Sequence, residues 1–303
     1  MSLTAECGWT LLRSVSVALL AWPVCTILAR VTLSTSKRFS RLTIASLMVP
    51  FLTPGFLAGY AYSNITLSLA RYPTCNELFY DLLLTLQLVP LGTLVLICSP
   101  PVPISPSANH CIRLAGRRRL KRFRGTGRFA LCLRGPLRNH LPALAVMSLL
   151  AFHEFEIASL FRVIAGQRLV PVSWANALFE AAALQGLGED NPQALLNRSW
   201  LPLTCSLLLL SPLLLLLGRR GHQGLATTPV PRARPTVITH CLALSWLVLA
   251  LLVLTIVPLV SICVDSGSEV VSFLGDRHRL SRLLGDIGSS LGMALEASIL
   301  AAL

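Results

Sequence analysis

The sequence predicts an all-α membrane protein, a bundle of about seven transmembrane helices. Hydrophobic residues make up 54% of its 303 residues and charged residues 13%, and the mean hydropathy is +0.69. Ordinary soluble domains contain about 25% charged residues, so this composition excludes a two-domain soluble enzyme. The net charge of +13 does not indicate nucleic-acid binding, because only 7% of the residues are aromatic and the basic residues lie between apolar runs.

Seven apolar segments are each long enough, at about 1.5 Å per residue, to cross a hydrocarbon layer of about 30 Å. They are residues 11–29, 42–62, 82–98, 141–161, 199–217, 241–264 and 287–303. Arg13 lies near the end of the first segment, where its side chain is expected to snorkel to the interface. That segment lacks a small-residue cleavage site, which favours an uncleaved span over a signal peptide.

Lysine and arginine residues predict the direction of the spans. Eighteen of the 26 basic residues lie in three loops on one side of the predicted membrane, and ten of them lie in residues 99–140 together with no acidic residue. Because basic loops resist translocation, we expect residues 99–140 to be cytoplasmic and the N-terminus to be outside.

One linker and the cysteines complete the organisation of the chain. Residues 1–218 form a first bundle, residues 219–240 a Gly/Pro/Thr-rich cytoplasmic linker, and residues 241–303 the start of a second bundle. The nine cysteines show neither CxxC nor Cys/His spacing, which supports no zinc site and no disulfide framework. Cys7, Cys75 and Cys263 lie near the predicted outer side, where a disulfide is chemically possible.

Motifs for enzymatic chemistry are missing from the sequence. It contains no GxxxxGK[ST], GxGxxG, HExxH or GxSxG pattern, and therefore no phosphate cradle, zinc-protease site or serine nucleophile of those types. We expect a protein that is not an enzyme and that uses no metal or cofactor. If it moves a solute with ATP, hydrolysis occurs in another subunit.

Three polar residues, His153, Glu154 and Glu156, lie inside the fourth predicted span and are the candidates for a translocation path. Intramembrane carboxylates are costly and mark a pathway, a partner or a packing site. On a continuous helix Glu154 shares a stripe with Ala151 and Ala158, whereas Glu156 projects about 200° away. Two interpretations stay open: contact with solute, or one packed and neutralised acid and one that reaches headgroups or water.

The basic run from Arg117 to Arg138 also has two interpretations. It is either a solvated loop attracted to lipid or a docking surface for a cytoplasmic partner. Its composition favours the solvated loop, whereas its position directly before a long span favours the docking surface.

Several short motifs follow one another in a characteristic order. They are TILAR at 26–30, PFLTP at 50–54, AGYAY at 58–62, GP at 135–136, FHEFE at 152–156 and LVPV at 169–172. This order resembles the inner-membrane permease of binding-protein-dependent ABC importers, in particular the iron(III)-type permeases with two fused halves.

The resemblance implies a type I ABC-importer permease in the cell inner membrane, with a passage for iron(III) or another small solute. It implies a cytoplasmic ATP-binding subunit, a periplasmic solute-binding protein, and a second permease half or a homodimer. The ATPase-coupling loop would contain Arg117, Arg118, Arg119, Phe123, Leu133, Gly135 and Pro136. The family's Glu-Ala-Ala and following Gly are replaced there by basic residues and Phe123. The chain also lacks the usual first span and stops early in the second half, as expected of a truncated or degenerate permease.

The sequence leaves three alternatives to this interpretation. Glu180-Ala181-Ala182 with Gly186 resembles the missing coupling motif, but the charge distribution places it opposite residues 99–140. A non-transporting membrane scaffold would explain the lost motif. A secondary transporter would use the intramembrane glutamates for proton coupling.

Overall fold

The computed structural model describes residues 3–99, 140–165, 168–185, 192–218 and 236–264, with five isolated positions between 281 and 292. The chain divides into two compact units, Met1–Ile256 and Val257–Leu303. The second unit contains the helical residues 257–264. The first unit contains the elements that follow.

The first unit is built of nine α-helices and one short hairpin within the described ranges. The elements are α1 (Leu3–Ser34), α2 (Lys37–Leu52), α3 (Gly55–Ser68), a 3-10 turn (Leu69–Arg71), α4 (Pro73–Cys98), α5 (Leu141–His153), α6 (Glu156–Leu160), β1 (Val163–Ala165), β2 (Arg168–Val170), α7 (Trp174–Gln185), α8 (Pro192–Gly218), α9 (Val237–Leu251) and a π-helical turn (Leu252–Ile256). The two strands are antiparallel, with Val163 opposite Val170.

Four helical stretches are long and apolar enough to cross a membrane, namely Thr4–Ser34, Pro73–Cys98, Leu141–Leu160 and Val237–Val264. The pair Arg38–Leu52 and Gly55–Arg71 would be a fifth span, bent by 64°. A shorter apolar helix covers Ser199–Pro212. The mostly helical, membrane-embedded character predicted from composition is therefore confirmed.

Details of the seven predicted spans differ from the structure. The predicted span 42–62 contains the bend between α2 and α3, and the predicted span 141–161 is divided into α5 and α6. The prediction of an all-helical chain missed the hairpin of β1 and β2. The predicted span 287–303 and most of the linker 219–240 lie outside the described residues.

Large apolar side chains cover the outer faces of these helices. Leu12, Leu20, Leu82 and Leu208 are each more than half exposed. A soluble protein rarely exposes so much contiguous apolar surface, because each buried CH₂ group is worth about 0.8 kcal/mol. Such faces are suited to contact with lipid acyl chains.

Helix α1 lies at the centre of the first unit and packs against both α4 and α5. Its buried face contains Val17, Ala21, Cys25 and Leu28, spaced three or four residues apart. At the crossing with α4, a Cβ atom on Gly92 would lie 2.8 Å from Sγ of Cys25. Gly92 therefore permits the close approach of the helix backbones, as small residues do between membrane helices.

Contacts along α1 give the relative directions of its neighbours. Arg13 and Cys25 contact Glu77 and Val89 of α4 respectively, so α1 and α4 run parallel. His140, at the start of α5, packs edge-on against Trp22 with ring centroids 5.6 Å apart. Helix α5 ends beside the start of α1 and is therefore antiparallel to it. If α1, the α2–α3 pair, α4 and α5 cross the membrane one after another, α1 and α4 must be parallel and α5 antiparallel to them, as observed.

Proline accounts for the bend between α2 and α3. Pro54 disfavours the helical conformation of the preceding residue, and Thr53 is extended at φ −66° and ψ 120°. Helix α2 therefore ends at Leu52, and α3 begins at Gly55 in a new direction.

Candidate functional site

Arg13 lies in a polar cluster at the end of the unit where α1 and α4 begin. Its Nη2 atom lies 3.0 Å from each carboxylate oxygen of Glu77, and its Nε atom lies 3.7 Å from Oδ1 of Asp81. The guanidinium carbon lies 4.8 Å from the ring centroid of Tyr80. Arg13 is only 4% exposed, so the prediction that it snorkels to the interface is wrong. Two carboxylates one helical turn apart on α4 pair with it inside the protein instead.

Glu77 connects α1 and α4 to the segment before α7. Its Oε1 atom accepts hydrogen bonds from Nε1 of Trp9 at 3.0 Å and from the backbone nitrogen of Val172 at 3.4 Å. Nearby, the backbone nitrogen of Trp174 donates to Oγ1 of Thr10 at 3.1 Å. The polar cluster therefore fixes the first turn of α7 against α1.

Glu154 lies at the junction of α5 and α6. Tyr80, itself 1% exposed, donates its hydroxyl hydrogen to Oε2 of Glu154. The backbone nitrogens of Ile157 and Ala158 donate to the same carboxylate at 2.5 and 3.3 Å. Its backbone is extended at φ −64° and ψ 128°, which ends α5. The continuous stripe predicted for Ala151, Glu154 and Ala158 is therefore interrupted, because the side chain of Glu154 satisfies the free N–H groups of α6.

Glu156 contacts a different helix break. Its Oε2 atom accepts a hydrogen bond of 3.1 Å from the backbone nitrogen of Phe56, in the first turn of α3. A Cβ atom on Gly55 would lie 3.0 Å from that oxygen, and one on Gly59 would lie 3.0 Å from Cβ of Leu160. The two glycines therefore let α3 lie directly on α6, with a carboxylate at the positive end of the α3 dipole.

His153 faces α8. Its Nε2 atom lies 2.9 Å from Oγ of Ser206, and its ring packs edge-on against Trp174 with centroids 5.4 Å apart. His153, Glu154 and Glu156 thus contact α8, α4 and α3, although only three positions separate the first from the last. Together they join the α5–α6 break to the helices around it.

Carboxyl groups outnumber the positive charge around Arg13. Glu77 and Asp81 contact its guanidinium, and Glu154 lies within electrostatic range of it. Three carboxyl groups therefore lie around one guanidinium in a poorly solvated part of the protein, an arrangement typical of functional or packing sites in membrane proteins. Within the described ranges, no group of three or more His, Cys, Asp and Glu side chains is arranged to hold a metal ion.

Sequence reasoning missed Arg13, Glu77, Asp81 and Tyr80 as site residues. The signal was a charge inside an apolar run, together with two acids at i and i+4 directly before the predicted span 82–98. These patterns become informative only when the parallel packing of α1 and α4 is known.

The two remaining sequence predictions are the coupling loop and the competing triplet that contains Glu180. The coupling-loop candidates Arg117, Arg118, Arg119, Phe123, Leu133, Gly135 and Pro136 lie outside the described residues. Glu180 of the competing triplet belongs to α7 and forms an ion pair with Arg162. The start of α7 lies beside Thr10 of α1, and thus at the end of the unit opposite His140.

The cysteines of the described ranges are free. Cys75 and Cys263 are exposed, whereas Cys7 is buried with its Sγ atom 3.7 Å from that of Cys205. The structure therefore places Cys205 beside Cys7.

Comparison with known proteins gives no further assignment. No family model, no curated protein and no solved structure matches this chain.

Proposed function

We propose that the chain is a membrane-embedded permease subunit of an ABC-type importer. It would form part of a passage for iron(III) or another small solute. The observation that carries the proposal is the contact between two broken membrane helices, made where Glu156 of α6 accepts a hydrogen bond from Phe56 of α3. Discontinuous helices that contact each other are a recurring device of transporters, because each half can reorient about its break.

The helix directions support the proposed sidedness. The start of α1, the start of α4 and the end of α5 share one end, and Arg30 lies within electrostatic range of His140 at the other. Lys37, Arg38 and Arg41 at the start of α2 follow α1 at the latter end, and the basic segment 99–140 connects α4 to α5 at that end. With those loops in the cytoplasm, the polar cluster around Arg13 faces the outside of the inner membrane.

The mechanism that follows is alternating access. A periplasmic solute-binding protein would deliver the solute at the end that contains the Arg13 cluster. A cytoplasmic ATP-binding subunit would act on residues 111–138, which lead directly into α5. Displacement of α5 would reach α3 through α6 and Glu156, so the two breaks would move together. A second permease half or a second copy of the chain would complete the passage.

Site-specific cross-linking tests the partner. A photo-reactive amino acid at Arg124 or Leu133 should capture a protein that contains a Walker sequence when the candidate ATPase is co-expressed. The same amino acid at Tyr72, which is 63% exposed at the opposite end of the unit, is the matched control and should not capture it. Capture of lipid alone at Arg124 and Leu133 would contradict the proposal and favour a non-transporting scaffold.

A second candidate, proton-coupled secondary transport, is favoured by the excess of carboxyl groups around Arg13. In that case solute uptake in proteoliposomes would follow a proton gradient without any ATPase. Glu154→Gln would abolish uptake, because it removes a titrating group that contacts Tyr80. Glu156→Gln keeps an acceptor for Phe56 and would matter less. Equal, normal uptake by both variants would assign both glutamates to packing.

A further inference from the structure

A polar pocket lies beside the Arg13 cluster, between the start of α1, the hairpin and the first turn of α7. Its volume is about 90 Å³, and its polar lining includes Glu6, Arg162, Arg168, Ser173 and Asn176. A cavity needs about 10–15 Å³ of such volume to hold one water molecule, so the pocket has room for several waters or one small ligand.

Two hydrogen-bond donors at this pocket lack a partner. Asn176 is 4% exposed, and its Nδ2 atom makes no hydrogen bond. The Nε atom of Arg168 is likewise buried without a partner, while its guanidinium stacks on Trp9 with 4.7 Å between the guanidinium carbon and the ring centroid. Buried polar groups without partners are rare, because each one costs about 1–3 kcal/mol. Both side chains would therefore be stabilised by a hydrogen-bond acceptor in the pocket.

The electrostatics of the pocket favour an anionic group at one side. Asn176 lies in the first turn of the 12-residue helix α7, where free backbone N–H groups and the helix dipole add positive potential. Arg168 adds a full positive charge, whereas Arg162 is already paired with Glu180. The guanidinium of Arg168, the amide of Asn176 and the first turn of α7 therefore all favour a hydrogen-bond acceptor or a negative charge in the pocket.

Glu6 supplies a negative charge to the same lining. It lies within electrostatic range of the N-terminal ammonium group and of Arg162, whose own charge is shared with Glu180. Neither Arg168 nor Glu6 forms a salt bridge with another described residue, so the lining offers one such charge of each sign. A ligand with one negative and one positive group satisfies both, whereas a simple anion would face an unfavourable carboxylate.

We propose that this pocket binds a small free zwitterion of the amino-carboxylate class. Its carboxylate accepts hydrogen bonds from Arg168, Asn176 and the first turn of α7, and its ammonium group pairs with Glu6. Glycine is the smallest member of this class and fits a pocket of this volume. The proposal does not rest on the permease assignment, since it concerns equilibrium binding to the chain alone.

The test is equilibrium dialysis of the purified full chain in detergent against labelled glycine. Glycine should bind saturably, and acetate and methylammonium should each bind about tenfold more weakly or less. Arg168→Gln and Glu6→Gln should each weaken glycine binding by about tenfold. Arg71→Gln, which changes an exposed arginine outside the pocket, is the matched control and should leave binding unchanged.

Other outcomes overturn the proposal. Absence of glycine binding at about 10 mM would mean that the pocket holds water only. Acetate binding as tight as that of glycine, strengthened by Glu6→Gln, would identify a simple anion site. Competition by phosphatidylethanolamine but not phosphatidylcholine in nanodiscs would assign the pocket to a lipid headgroup. The melting temperature of Arg168→Gln without ligand shows whether this variant is folded. If it is not folded, the binding of glycine to Glu6→Gln decides between these outcomes.

Discussion

Removal of the positive charge of Arg13 should strongly destabilise the protein. Arg13→Gln leaves Glu77 and Asp81 one helical turn apart without a counter-charge. The side chains of the three residues are 3%, 15% and 20% exposed respectively, so solvent compensates little of the loss. Breaking a buried ion pair by removal of one partner costs about 3–5 kcal/mol. We expect a decrease of that size in the free energy of unfolding.

A double-mutant cycle measures the part that belongs to the ion pair. Unfolding of purified Arg13→Gln, Glu77→Gln and the double variant in mixed micelles gives the three free-energy changes. The double variant should lose less than the sum of the single variants, with a coupling of about 1–3 kcal/mol. Arg71→Gln should stay within about 0.5 kcal/mol of the wild type. Additive single changes, or a loss below about 1 kcal/mol for Arg13→Gln, would refute the buried pair.

Three further predictions test the packing. Gly92→Ala should lower the free energy of unfolding by about 1–3 kcal/mol in a chemical-denaturation assay, because the added methyl group would meet sulfur atoms on α1 and α5; Gly8→Ala, with no atom within 4 Å of the new Cβ, should not. A mild oxidant should form a Cys7–Cys205 disulfide detectable by mass spectrometry of peptides, since the two Sγ atoms are 3.7 Å apart; a Cys205→Ser protein that is cross-linked through Cys7 as readily would contradict this contact. Burial holds the pKa of His140 below its usual value, so part of the stability should disappear as the pH falls below about 6.5, and melting curves of His140→Asn should show a smaller decrease.

The helices were largely predictable because bilayer thickness and apolar run length determine them. Helix α4 begins at Pro73, before the predicted span 82–98, because the polar residues around Glu77 look like loop sequence in an apolar-run analysis. The break at Pro54 has a local signal in the sequence PFLTP, but the run of apolar residues around it conceals the bend.

The break at Glu154 could not be predicted from its neighbours. No proline or glycine occurs between 143 and 165, and the local sequence is compatible with one continuous helix. The extended conformation of Glu154 is accompanied by a hydrogen bond from Tyr80, 74 positions earlier in the chain. Tertiary contacts of this kind are invisible to periodicity, which explains why the helix stripe through Glu154 was predicted and is not formed.

The distribution of polar contacts indicates which parts of the first unit would move if the chain is the proposed permease. Helices α1 and α4 are joined by the buried charges of Arg13, Glu77 and Asp81 and by the close approach at Gly92, contacts that are costly to break. Helices α3 and α6 are joined instead by glycine packing and by one exposed carboxylate, that of Glu156. A hydrogen bond to a charged group contributes about 1.5–3 kcal/mol, which is within the range that ligand or partner binding supplies. The α3–α6 contact is therefore the place where the proposed permease would open, while the α1–α4 pair would serve as its fixed frame.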